Sequence, residues 1–144
     1  MIRISKQAYR EMIAYCIQQQ PHEACGFLSG YRGDSSVSDR IDRFIPVSNR
    51  SPRPENHFDM DPREVVSVLY QLETSGAILL GIAHSHPQAP PVPSGEDLLT
   101  AWHRTATHWI VSLQGSVPLA KVYRYAALDD GTVAWSGIPM IVED

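Results

Sequence analysis

The sequence predicts an α/β domain: a single-domain sandwich in which a mixed β-sheet is flanked by helices. Two observations carry this. Segments with helical spacing alternate with short apolar runs of strand length, and no repeat or linker divides the 144 residues. A chain of this length buries one core without staples, so one domain over residues 1–144 is the economical architecture.

The elements follow in order. Ser5 is placed to cap a first helix in which Tyr9, Met12, Ile13, Cys16 and Ile17 recur at helical spacing. Cys16 falls on the apolar stripe and reads as a small core side chain rather than a catalytic thiol. Residues 24–30 form a short strand ended by glycine. Residues 31–56 are rich in Arg, Asp, Ser and Pro, a surface loop interrupted by a strand through Ile41, Phe44, Ile45 and Val47. Asp61-Pro62-Arg63-Glu64 then starts a second helix with a capping aspartate, proline at the first position and glutamate three residues on. Val65, Val68, Leu69 and Leu72 make its apolar face, and it ends near Gly76.

Residues 77–83 lack polar alternation, as expected of a strand covered on both faces. A short helix is expected over residues 94–105, burying Leu98, Ala101 and Trp102. Strands follow at 108–113, 119–125 and 132–138.

Composition excludes several function classes. The net charge is −4 with no basic run, and binding to a phosphate backbone needs clustered Lys and Arg, so nucleic acid is not an expected partner. The longest apolar run, residues 76–83, is too short to span a bilayer, and the polar N-terminal segment has no signal-peptide core. Cys16 and Cys25 form no zinc spacing. A cytoplasmic protein with no membrane partner is expected.

Chemistry concentrates in His84-Ser85-His86-Pro87-Gln88-Ala89-Pro90-Pro91-Val92-Pro93-Ser94-Gly95-Glu96-Asp97. Residues two apart on a strand share a face, so His84 and His86 aim both imidazoles at one point, which suits zinc about 2.0–2.1 Å from each nitrogen. They lie where the apolar strand gives out, the usual place for ligands on an α/β sheet. The four prolines stiffen the loop, and Asp97 returns as a third ligand. Three protein ligands leave a fourth position, the mark of a catalytic site. A plainer alternative stays open: Ser94-Gly95-Glu96-Asp97 is also the capping-box pattern, and a lone histidine at a strand end is usually a hydrogen-bonded surface residue. A zinc hydrolase needs a base as well. Glu23 is the candidate, and His22-Glu23 is not an HExxH helix because Gly26 occupies the second histidine position.

Together, Glu23, His84-Ser85-His86-Pro87 and Ser94-Gly95-Glu96-Asp97, with seven residues between His86 and Ser94, resemble the JAMM motif of the JAB/MPN+ zinc metallopeptidases. The segment 23–28 is similar to that family's glutamate-bearing strand, and Asn56-His57-Phe58 with Asp61-Pro62 to its substrate-strand region. The resemblance implies an MPN/JAB fold with cytidine-deaminase-like layering and one Zn2+ per chain on His84, His86 and Asp97. It implies Glu23 as the residue that takes a proton from water and passes it to the leaving amine, and Ser94 as a hydrogen-bond donor to the oxyanion. It also implies hydrolysis after the terminal glycine of a ubiquitin-like or sulfur-carrier protein with a Gly-Gly tail. That tail would add as a strand along His57-Phe58-Asp59-Met60. The rival readings are a zinc-containing module that grips such a tail without cutting it and a purely structural domain. His22, His103 and His108 have no ligating spacing, and Trp102, Trp109 and Trp135 are expected to pack.

Overall fold

The computed structural model describes residues 1–33, 39–100, 102 and 104–144. Ser5 ends strand β1 (Ile2–Ser5) and caps helix α1 (Lys6–Gln19), its hydroxyl accepting the Ala8 N–H at 3.1 Å. Such a cap contributes about 1 kcal/mol. Ala8, Met12 and Cys16 are the buried stripe of α1. Strands β2 (Cys25–Tyr31) and β3 (Arg40–Val47) follow, then helix α2 (Pro62–Ser75). Asp61 caps α2 by accepting from the Arg63 and Glu64 amides at 2.9 and 3.3 Å. Gly76 closes it at φ +76°, a backbone state that favours glycine.

Strand β4 (Ile78–His86) continues through both histidines, three residues beyond the apolar run. Strands β5 (Thr107–Ser112), β6 (Leu119–Ala127), β7 (Val133–Ile138) and β8 (Met140–Glu143) complete one mixed sheet of order β7-β6-β5-β4-β2-β3-β1-β8. The β4–β5, β1–β3 and β1–β8 pairs are parallel and the rest antiparallel.

Strands β7 and β8 stand at opposite ends of that order, yet only Pro139 separates them. Neighbouring Cα atoms are about 3.8 Å apart, so the sheet curls until its two ends meet. Inside the curl, Met12 and Cys16 of α1 pack with Ile4, Leu28, Ile41, Leu80, Trp109, Val111 and Val122. On the outer face, Val68 and Leu72 of α2 cover Cys25, Phe27, Ile45, Val47 and Ile82. Strand β4 is therefore covered on both faces, as its composition predicts.

The β2–β4 register jumps from Leu28↔Gly81 to Ser29↔Leu79, which makes Leu80 an extra residue on β4. Such a bulge changes side-chain parity. Before it, Leu79 joins the α2 side and Ile78 the α1 side; after it, Ile82 joins the α2 side and Ala83 the α1 side. His84 and His86 follow Ile82.

Two expectations differ from the structure. The helix over 94–105 is a single 3-10 turn, Asp97–Leu99. Its capping bonds form, but Thr100 turns extended at ψ 144° and its hydroxyl accepts the Trp102 N–H at 3.1 Å, diverting the chain from helix. Leu98 packs against Ile110, Tyr123 and Tyr125, whereas Ala101 lies outside the described residues. The short strands β1 and β8 are additional to those expected.

Candidate metal centre

The β2–β4 pairing sets Cys25 opposite His84 and so brings Glu23, just before β2, to the end of β4 that carries the histidines. Ser85, on the opposite face of β4, locks this junction: its Oγ accepts the Ala24 N–H at 2.8 Å and its own N–H donates to the Ala24 carbonyl at 3.0 Å.

The three expected ligands converge. His84 Nε2 and His86 Nε2 are 3.1 Å apart, and the Asp97 carboxylate lies 3.2 Å from the first and 3.0 Å from the second. All three residues are buried, and their donor atoms lie within 4.8 Å of one another. His86 Nδ1 is 2.8 Å from the Pro90 carbonyl. A carbonyl only accepts, so Nδ1 carries a proton, and once Nε2 gives up the proton it donates to Asp97 the ring offers that nitrogen's lone pair to a metal. The His84 ring stacks on Phe58 with centroids 4.6 Å apart. Two imidazole nitrogens and a carboxylate oxygen, buried and converging on one point, fit a divalent metal ion.

The proline loop is pinned at several points: Ser112 Oγ donates to the Ala89 carbonyl at 2.6 Å, the Tyr123 hydroxyl donates to the Pro91 carbonyl, and Pro90 receives His86. Ser94 and Asp97 fulfil both readings of their pattern. Asp97 N–H donates to Ser94 Oγ at 3.1 Å and Ser94 N–H donates to Asp97 Oδ2 at 2.9 Å, a reciprocal cap, while the same carboxylate faces the histidines. Burial alone would raise the Asp97 carboxyl. The charge of His84 and hydrogen bonds from His84, His86 and the Ser94 amide outweigh it and hold the group below the usual carboxylate range.

Glu23 has the opposite environment. It is 6% exposed, its Oε1 has no hydrogen-bond partner among the described residues, and burial pushes its carboxyl up to about 8. His86 opposes that rise, and Asp97 and Glu96 add to it. The Cys16 and Cys25 thiols are pushed up to about 12 by burial, so neither is a nucleophile.

His57, Phe58, Asp59 and Met60 form one wall of a cleft of about 380 Å³ beside this cluster, faced by Glu96, Asp97, Leu99, Thr100 and Trp102. Met60 bridges Asn49, with Arg50 N–H donating to the Asp59 carbonyl at 2.7 Å. His57 O and Asp59 N–H are also taken, by the Asn49 side chain. Among the described residues the Phe58 N–H and C=O have no hydrogen-bond partner. Trp102 packs edge-on against Phe27, with centroids 5.4 Å apart, and also lines the cleft, a second role that sequence did not signal. Nor did sequence signal Pro90, whose contribution is its backbone oxygen. Trp109 is fully buried, Trp135 is half-exposed against Tyr123, His108 stacks on Tyr125, His22 faces Glu55 at the surface, and His103 lies outside the described residues.

Residues 5–125 match the family described as prokaryotic homologs of the JAB domain. The chain belongs to this prokaryotic JAB family. Among JAB relatives, the desampylase of Haloferax volcanii is 39% identical over 77 residues, 54% of this chain and 52% of that protein. The CysO-cysteine peptidase of Mycobacterium tuberculosis is 33% identical over 122 residues, 85% of this chain and 79% of that protein. This chain thus spans about half the length of the first relative. A solution structure from Desulfitobacterium hafniense superposes with a TM-score of 0.83 at 32% identity, covering 100% of this chain and 94% of that one. A JAB1/MPN domain protein from Archaeoglobus fulgidus has the same fold, with a TM-score of 0.60 at 21% identity and 99% of each chain covered. Among the described residues no helix is long and apolar enough to cross a membrane.

Proposed function

We propose that this protein is a zinc metallopeptidase that hydrolyses the bond after the C-terminal glycine of a ubiquitin-like or sulfur-carrier protein. The observation that carries the reading is a buried two-histidine, one-carboxylate donor set beside a buried glutamate with an unpaired oxygen. The names of the relatives support the substrate class: desampylase, a TtuB-protein conjugate cleaving protease and CysO-cysteine peptidase.

His84, His86 and Asp97 would hold the zinc. When bound, the metal supplies Lewis acidity, which brings the pKa of water from 15.7 to about 7 and polarises a carbonyl. The chain's own residues do the rest. Glu23 accepts the proton of the attacking water and returns it to the leaving amine, a task for a carboxyl whose affinity for protons lies near neutrality. A cation held by His84, His86 and Asp97 would lower that affinity, so that Glu23 is ionised and able to take the proton. Ser94 Oγ, which accepts from the Asp97 amide, keeps its own proton to donate to the oxyanion. Phe58 offers its backbone N–H and C=O to an extended tail lying in the cleft, whose facing wall carries Trp102. Residues 1–144 act as one domain in this reading, and the free thiols of Cys16 and Cys25 suit the reducing cytoplasm.

The test is metal analysis beside cleavage of a ubiquitin-fold carrier fused after Gly-Gly to a reporter. Stoichiometric zinc and chelator-sensitive cleavage are expected, and Asp97→Ala should lose both. A zinc-loaded wild type that retains the fusion uncut would instead identify a binding module, and a full zinc complement in Asp97→Ala would refute ligation.

A further inference from the structure

We propose that Asn49 is a positioning residue for Glu23. Its side-chain amide ties the backbone of Glu23 to the cleft rim, so that the two move as one body. The inference deepens the functional reading above, on which it rests for the roles of Glu23 and of the rim.

Glu23 precedes β2, which begins at Cys25, so its peptide lies outside the sheet ladder. Both of its backbone groups are nevertheless engaged, and both by the segment that forms the rim. Its N–H donates to the Pro54 carbonyl at 2.6 Å, and its C=O accepts from Asn49 Nδ2 at 3.0 Å. The same Nδ2 donates to the His57 carbonyl at 3.0 Å. Asn49 Oδ1 accepts the Ser51 N–H at 2.9 Å and the Asp59 N–H at 3.0 Å.

A primary amide has two donors and two acceptor sites, so every one is used. The partners also fix its orientation: a flipped amide would set NH2 against two N–H groups and its oxygen against two carbonyls. The amide thus spans residues 23, 51, 57 and 59 from a single point. The main chain of Asn49 is anchored by its bridge to Met60.

The consequence for Glu23 comes from what its side chain lacks. Glu23 Oε1 is buried with no hydrogen-bond partner among the described residues. Where the carboxyl stands is set chiefly by its backbone, and the Asn49 side chain supplies one of the two bonds on that backbone. A tail pairing along Phe58 would press on the rim whose neighbouring carbonyl, that of His57, shares Nδ2 with Glu23. Tail binding and placement of the base are therefore coupled through one side chain.

Two variants separate positioning from general support. Asn49→Asp keeps both acceptor bonds and loses both donors, while Asn49→Ala loses all four. The first readout needs no activity: native-state hydrogen exchange of the Glu23, Ser51 and Asp59 amides, with Phe27 in β2 as internal reference. In Asn49→Ala all three amides should exchange at least tenfold faster. In Asn49→Asp only Glu23 should, and Phe27 should stay within twofold in both. The second readout uses the zinc-loaded protein on the diglycine fusion. There kcat should fall at least tenfold in both variants, and in Asn49→Asp KM should rise less than threefold with zinc content unchanged.

A Glu23 amide that exchanges within twofold of wild type in Asn49→Ala overturns the proposal. So does an acceleration that Phe27 shares equally, since that is general loosening. A wild type that loads zinc and cleaves nothing defeats the functional reading alone, and the exchange of the Glu23 amide still decides the role of Asn49.

Discussion

Glu23 and Asp97 are both carboxylates buried beside the same imidazoles, and their surroundings drive them apart. Asp97 faces His84, His86 and the Ser94 amide and is stabilised as an anion; Glu23 meets desolvation with one oxygen unpaired and is pushed up to about 8. Glu23→Gln should therefore keep its zinc and lose turnover by about 10²–10⁴-fold, checked by metal analysis beside single-turnover cleavage; retained turnover would refute the role. Metal-free protein offers a second measurement. Because the folded pKa of Glu23 lies above its ordinary 4.5, the native state keeps a proton that the unfolded chain releases. The stability Glu23 contributes is complete below about pH 4.5 and is lost as pH rises through about 8. In chelator, wild type should thus become less stable relative to Glu23→Gln across that window, by on the order of a few kcal/mol. Urea midpoints for both proteins at the two ends of the window read this difference, and one that does not change with pH would contradict it. Sequence made Glu23, His84, His86, Ser94 and Asp97 legible because each belongs to a spaced motif. It hid Asn49, whose role lies in four backbone groups that sequence does not number.

At the scale of elements, the loop from Pro87 to Asp97 does what a helix or strand would do less well. Its carbonyls are turned outward to side chains: Ala89 to Ser112, Pro90 to His86, Pro91 to Tyr123. The loop is thus fixed without secondary structure, and Asp97 is delivered at a set depth. Along the opposing wall, Asn49 and Arg50 occupy the backbone groups of His57 and Asp59, and the proposed tail would pair with those of Phe58. Phe58→Pro removes that N–H and should weaken binding of a diglycine-ended peptide at least tenfold while zinc content is kept; titration by fluorescence anisotropy on zinc-loaded Glu23→Gln protein reads it, and unchanged affinity would exclude Phe58 as the edge. Helices α1 and α2 were legible because their caps are coded locally, by Ser5 and by Asp61-Pro62. The helix expected over 94–105 was not formed because Thr100 competes for the Trp102 amide and Leu98 is drawn to Ile110 and Tyr123, contacts that depend on strands later in the chain.

At the scale of the molecule, curling the sheet lets eight strands enclose α1 while one outer face remains for α2 and the cleft. Trp109 is fully buried in the enclosed core, beside Gly81, where a Cβ would lie 3.0 Å from the indole. Trp109→Ala should cost about 3–5 kcal/mol, read as a lower urea midpoint with the same slope; a loss under 1 kcal/mol would mean that the interior closes over the void. The closure itself was beyond reach of sequence, since it rests on pairing Ile2 with Met140.

One backbone irregularity governs the direction of everything above. Were Leu80 deleted and β4 re-registered, the alternation downstream would invert, and both imidazoles would swing from the α2 side of the sheet into the sealed interior beside Met12. Which side of the sheet the His84, His86 and Asp97 cluster faces is written four residues upstream of His84, at a leucine outside the cluster.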